Sequence, residues 1–297
     1  MHPGVPGCAL ALWVAASLAP GMAQAESPLS LLPEGVESIT LPFEVQDGFI
    51  LLSGQVAGVT GVFMFDTGTP FPFLLNNTVV PIDLSGTPTE GRAASGQTFR
   101  IHRHTDAGPV TVAGQDFAQT GPVLSGDLQW LTDEFRSDFL GFAGQPLIRE
   151  ARMTIDYGTQ EMTLDRIGPA KAAPSDLGPG AVTLTFDGFD GDRPNLPYVT
   201  AHLGDLPLEV MLDTGTAGVL ELTPEAQAAL QDAGAIKVSP EGVALPGLVL
   251  QGQSIRAFAA ELSEGPVNRL TAGHATLSQY RSIWDFPAGT ITLIPKP

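Results

Sequence analysis

The sequence holds almost no cysteine. Its one thiol, Cys8, lies in the N-terminal segment, so the rest of the chain offers neither an internal disulfide nor thiol chemistry. Charge is also sparse: Asp, Glu, Lys and Arg make up 15% of 297 residues, with 14 basic against 32 acidic side chains and a formal net charge of −18. A surface so short of cations has nothing to replace the counterions of a nucleic-acid backbone, which excludes nucleic acid as a partner. After residue 25, Gly, Pro or charge interrupts every apolar run well before the roughly 20 residues that a membrane-spanning helix needs. No Gly-x-Ser-x-Gly elbow is present, which removes the common serine-hydrolase arrangement.

In place of long solvated helices the chain has 34 Gly and 26 Pro, a balance that suits many short strands and turns and predicts an all-β class. The first 25 residues have the pattern of a secretory signal. The apolar stretch Ala9 to Leu18 is followed by Pro20, Gly21 and Ala23-Gln24-Ala25, which predicts cleavage after Ala25. Cys8 precedes that apolar run instead of following it, which argues against a lipid anchor. A soluble exported protein, periplasmic or secreted, is the expectation.

The remainder is one unit written twice. Gly61-Val62-Phe63-Met64-Phe65-Asp66-Thr67-Gly68-Thr69 recurs as Leu208-Glu209-Val210-Met211-Leu212-Asp213-Thr214-Gly215-Thr216, half a chain length further on. A strand and hairpin pattern precedes each copy, a β-rich run broken by a turn glycine follows it (Val110 to Phe117; Leu248 to Ile255), and a terminal hairpin closes it (Met153 to Leu164; Ser282 to Leu293). The organisation is therefore a signal over 1–25, a first lobe over 26–166, a Pro/Gly/Ala-rich linker over 167–182 and a second lobe over 183–297. Short helices are expected over 144–152, over 223–232 with Thr223 as N-cap and Pro224 in the first turn, and over 275–280.

Each aspartate ends an apolar strand and opens a Thr-Gly turn, so each carboxylate emerges where a core strand stops. Two buried carboxylates that face one another cannot both ionise and so share one proton over a wide pH range. Such a pair takes a proton from a water between them while giving the shared proton to a carbonyl oxygen. Gly68 and Gly215 leave room for the loops to meet, and the hydroxyls of Thr67 and Thr214 are suited to bond the opposite loop's backbone.

The segments Phe65-Asp66-Thr67-Gly68-Thr69 and Leu212-Asp213-Thr214-Gly215-Thr216 resemble the active-site loops of retropepsin-like and pepsin-like aspartic proteases. The resemblance spans most of residues 40–165 and 183–295. It implies a bilobal all-β fold of two similar retropepsin-like β-barrel lobes, with catalytic Asp66 and Asp213 and loop support from Thr67, Gly68, Thr69, Thr214, Gly215 and Thr216. The family's apolar-apolar-Gly element is matched by Phe139-Leu140-Gly141 in the first lobe and, less well, by Thr271-Ala272-Gly273 in the second. A flap over the cleft is implied at Ala94 to Phe99, with Ser95 and Gly96 at its tip, and Gly242 to Gly247 is a shortened counterpart. No tyrosine occurs between Asp66 and Tyr157, which places the flap nearer the retropepsin type.

The expected function is an exported aspartic endopeptidase acting on peptide or protein chains without a cofactor or metal; the alternative is a non-catalytic peptide-binding protein that keeps the fold. A monomer is expected, with a homodimer as the other arrangement that the linker permits. His102 and His104 share a strand face, but no third ligand lies near them, so they read as a solvated face. The acidic residues Asp127, Asp133, Glu134 and Asp138 read likewise, and Trp130 and Trp284 as packing residues.

Overall fold

The structure, a computed structural model, describes residues 29–93, 97–105, 107–117, 123–167, 177–190 and 193–296. The expected signal segment, the flap tip at Ser95 and Gly96 and most of the linker lie outside the described residues.

The strand Val59–Asp66 is central to the first lobe. Its hairpin partner Phe49–Val56 runs antiparallel on one side, and Phe139–Gly144 runs parallel on the other. Both faces are covered, so successive side chains enter two different apolar clusters. Phe63 and Phe65 join Ile50 and Leu52 in one, while Val62 and Met64 join Phe49 and Leu51 in the other. A strand buried on both faces has no polar alternation, which is why the sequence before Asp66 is an unbroken apolar run. The hairpin turns at Ala57-Gly58 with φ of 49° and 83°. Two successive left-handed residues of this kind fit the right-handed twist of the flanking strands.

The second lobe repeats the plan. Leu206–Leu212 pairs antiparallel with Arg193–Leu203 and parallel with Arg269–Ala272. Beyond the parallel strand, each sheet continues with an antiparallel strand, Phe73–Asn76 or Val219–Leu222, and then a parallel one, Val123–Gly126 or Glu261–Glu264. The duplication read in the sequence is thus a duplication of strand order. Its expected echo, Val110–Val112 with Gln115–Phe117 against Leu248–Leu250 with Gln253–Ser254, forms equivalent hairpins, with turns at Ala113-Gly114 and Gln251-Gly252.

The two terminal hairpins join to make a sheet that neither lobe completes alone. Its order is Ser38–Pro42, Glu161–Arg166, Ala151–Asp156, Tyr280–Asp285, Thr290–Pro295 and Val182–Thr185. The lobes meet where Ala151–Asp156 pairs with Tyr280–Asp285. There Arg152 donates from Nε (3.0 Å) and Nη2 (2.9 Å) to Asp285 Oδ2, with both residues buried.

The helix over 224–232 is present as Pro224–Asp232, with the Ala226 amide donating to Thr223 Oγ1 at 3.3 Å. The others differ. Residues 144–152 form only a 3-10 turn, Gln145–Leu147, because Ala151 and Arg152 are drawn into the shared sheet. The last helix spans His274–Leu277, since Tyr280 opens a strand. The acidic stretch contains a short helix, Gln129–Glu134, anchored by fully buried Leu131. Trp284 is fully buried, whereas Trp130 packs part-buried against the second cluster. Thr89–Arg92 and Thr98–His104 pair as the arms of the expected flap hairpin, and Gly242–Leu245 belongs to a separate three-stranded sheet with Lys237–Ser239 and Ala257–Ala259. No described helix is long and apolar enough to cross a membrane.

Candidate active site

Asp66 ends its central strand, Asp213 directly follows the end of the other at Leu212, and both aspartates are fully buried. Each turn after the aspartate folds back on its own carboxylate. The Gly68 amide donates to Asp66 Oδ1 at 2.6 Å and the Thr69 hydroxyl to Asp66 Oδ2 at 2.8 Å; the Gly215 amide donates to Asp213 Oδ1 at 2.8 Å. The threonines bind the loops to each other. The Thr67 amide donates to Thr214 Oγ1, and the Thr214 amide donates to Thr67 Oγ1, both at 3.0 Å. Thr214 Oγ1 in turn donates to the Phe65 carbonyl at 3.2 Å. These bonds join residues 147 apart in sequence and make one rigid unit of two chain segments.

Glycine is required where the loops meet. A Cβ on Gly68 would lie 2.9 Å from Asp66 Oδ1 and 3.0 Å from Asp213 Oδ2, and one on Gly215 would overlap Asp66 Oδ1. The space left by the missing Gly68 side chain is bordered by both carboxyl groups. Gly215→Ala is therefore expected to lower the melting temperature, since forcing a methyl into a packed site costs about 1–3 kcal/mol. A parental melting temperature in that variant would contradict the contact.

Behind each loop a further glycine backs the turn. Gly144 is in register with Asp66, and Gly273 follows the Leu212↔Ala272 pair. A Cβ on Gly144 or Gly273 would overlap the carbonyl oxygen of Thr69 or Thr216. Those carbonyls accept from the Gln145 amide at 3.2 Å and the His274 amide at 3.0 Å. The counterpart of Thr271-Ala272-Gly273 is thus Phe142-Ala143-Gly144, and the expected match to Phe139-Leu140-Gly141 is three residues out of register. Gly141 serves elsewhere: its φ of 135° and its close approach to the Leu74 carbonyl exclude a side chain. With the register corrected, both loops are backed by a glycine in the same place.

Burial first, and the charge of Asp213 second, hold the Asp66 carboxyl well above the usual carboxylate range, against the opposing bonds from Thr69 and Gly68. Burial, then Asp213, also pushes the Tyr157 phenol up. Tyr157 is buried at the turn of the first terminal hairpin, with its ring edge-on to His274 at 5.0 Å. Burial, then Lys296, pushes His274 down.

The sign of the linkage follows from these directions. Asp66, raised, favours the folded state most at pH below its ordinary value, and this contribution is lost as pH rises through the folded value. His274, lowered, does the reverse: its contribution is full above the ordinary histidine value and is lost as pH falls. His274→Phe keeps a ring but removes the titration. Its melting temperature relative to the parent is expected to rise steadily from pH 7 to pH 4, and a constant difference would contradict the assignment.

His104 Nε2 bonds Ser125 Oγ at 2.7 Å and its ring stacks on His102 at 6.4 Å; His104 is buried in the first lobe, contrary to the solvated face expected for the pair. Among the described residues no three His, Cys, Asp or Glu side chains gather to hold a metal ion. One residue at the centre escaped the sequence reading. Asn195, buried in the second lobe, donates from Nδ2 to the Thr67 carbonyl at 2.6 Å. Nothing in Pro194-Asn195-Leu196-Pro197 marks it, because its partner lies 128 residues away.

No protein-family model and no curated protein matches this chain by sequence. Among solved structures it is similar to the crystal structure of an aspartic proteinase from Irpex lacteus, with 11% identity and a TM-score of 0.53 over 87% of this chain and 97% of that one. The chain accordingly has the bilobal, all-β fold of an aspartic proteinase.

Proposed function

We propose that this chain is an exported aspartic endopeptidase that hydrolyses peptide bonds with a water held between Asp66 and Asp213. The observation that carries this reading is the meeting of two fully buried carboxylates across Gly68, with the loops locked by reciprocal threonine bonds. A pair so placed holds one proton in common. That proton belongs to the pair, and burial together with the charge of Asp213 holds the Asp66 carboxyl above its ordinary range.

The chemistry balances within the pair. Asp213 takes a proton from the water as its oxygen attacks the scissile carbonyl carbon, and Asp66 gives its proton to the carbonyl oxygen. Collapse of the tetrahedral adduct returns a proton from its hydroxyl to Asp66, while the amine leaves with the proton that Asp213 had taken. No covalent intermediate forms on the enzyme. Both aspartates belong to one chain, so a second copy is not needed to complete the pair. Residues 1–25 direct export, and an extended peptide or protein segment is the substrate.

The test is incubation of the protein without residues 1–25 with an unfolded protein from pH 3 to 7, with and without a hydroxyl-bearing mimic of peptide hydrolysis. Cleavage that the mimic blocks is expected. Binding of the mimic without turnover would instead identify a non-catalytic peptide binder.

A further inference from the structure

The two lobes serve their carboxylates unequally, and one difference is a side chain that crosses the lobe boundary. In the second lobe the register Tyr198↔Met211 carries the strand Arg193–Leu203 past the end of Leu206–Leu212, so that Asn195 lies at the level of Thr214. In the first lobe the register Ile50↔Phe65 puts Gly48 at the level of Thr67. Gly48 has no side chain, has a φ of 88° and packs against His274. Only the second lobe therefore supplies a side-chain donor from this place, and it points across the lobe boundary.

The acceptor of that bond belongs to the peptide group that holds Asp66. Asn195 Nδ2 donates to the Thr67 carbonyl at 2.6 Å, and the amide of the same peptide, Gly68 N–H, donates to Asp66 Oδ1 at 2.6 Å. Hydrogen bonds in such a chain polarise one another, each strengthening the next. The bond in the other loop, Gly215 N–H to Asp213 Oδ1, is longer at 2.8 Å. An amide is also the fitting donor, because it carries no charge at any pH and a carbonyl oxygen can only accept.

We propose that Asn195 is a positioning residue for the first catalytic carboxylate: through the Thr67–Gly68 peptide it strengthens the bond to Asp66 and fixes that carboxylate's place in the pair. This rests on the endopeptidase reading of the same centre. The bond from Gly68 favours ionised Asp66, so its weakening leaves Asp66 protonated to higher pH. The titratable groups around the centre are Asp213, which faces Asp66, Tyr157, whose phenol feels Asp213, and His274, which lies against the Tyr157 ring and Gly48; Asn195→Leu adds no charge to any of them.

The test compares the parent with Asn195→Leu, which cannot donate, and Asn195→Asp, which is of the same size and donates while protonated. Two readouts are taken: the pH profile of kcat/KM, and the pH titration of the Asp66 carboxyl carbon by NMR. In Asn195→Leu the alkaline limb of the profile and the Asp66 titration are both expected to move to higher pH, with a several-fold lower kcat. Asn195→Asp is expected to stay near the parent on the acid side of the profile. Should Asn195→Leu fail to fold, a parent-like acid side for Asn195→Asp supports the relay, and a uniform loss across pH overturns it. A lower melting temperature and kcat with both titrations unmoved would reduce Asn195 to a lobe latch and overturn the proposal. If the parent does not cleave at all, the endopeptidase reading fails, while the NMR titration still decides the role of Asn195.

Discussion

Asp66→Asn is expected to lower kcat/KM for an unfolded protein substrate by about a thousandfold, the scale of a lost general acid or base. Asp213→Asn is expected to do the same, and the double variant no worse than either alone, because groups that act as one unit are not additive. The fold should survive both changes. Asn has the same shape and accepts from the Gly68 or Gly215 amide through its carbonyl oxygen; at Asp66 it also removes a buried carboxylate whose ionisation is opposed by burial and by its neighbour. Relative to the parent, the Asp66→Asn melting temperature should therefore rise from pH 4 to pH 7. Turnover at a tenth of the parental rate in either variant would exclude a mechanism in which both carboxylates handle protons.

The second large effect lies away from the chemistry. Arg152→Ala is expected to cost about 3–5 kcal/mol, because it strands Asp285 as an unpaired buried charge at the seam between the lobes. Each partner is only 9% exposed at its side chain, so the remaining carboxylate stays largely out of bulk solvent. Replacing both partners with Leu should cost far less, since the desolvation that the pair suffers disappears with it. Chemical denaturation of the three proteins measures this. Equal losses in the single and double variants would show that the seam depends on packing alone.

What the sequence disclosed and what it hid follow from the range of the interactions. The apolar run Val62 to Phe65, the Asp-Thr-Gly turns and the Ala113-Gly114 and Gln251-Gly252 turns are local patterns, so the central strands, the duplication and the two aspartates were legible. Thr67 and Thr214 were assigned their cross-loop role from hydroxyl chemistry alone, and their reciprocal bonds take that form. The backing glycine was misplaced by three residues because Phe139-Leu140-Gly141-Phe142-Ala143-Gly144 contains two apolar-apolar-Gly triplets. Only the parallel pairing with Val59–Asp66 selects the second. The shared six-stranded sheet was not legible either. Its hairpins look self-sufficient in sequence, and their union depends on an edge-to-edge match between Ala151–Asp156 and Tyr280–Asp285. The helix expected over 144–152 gave way to that sheet, a tertiary contact overriding local preference.

High-resolution crystallography of the protein with a hydroxyl-bearing mimic of peptide hydrolysis tests the central claim most directly. The account predicts one mimic per chain, its hydroxyl within about 2.6–3.2 Å of a carboxylate oxygen from each of Asp66 and Asp213. A mimic bound elsewhere, or a hydroxyl touching one aspartate while the other stands apart, would contradict it.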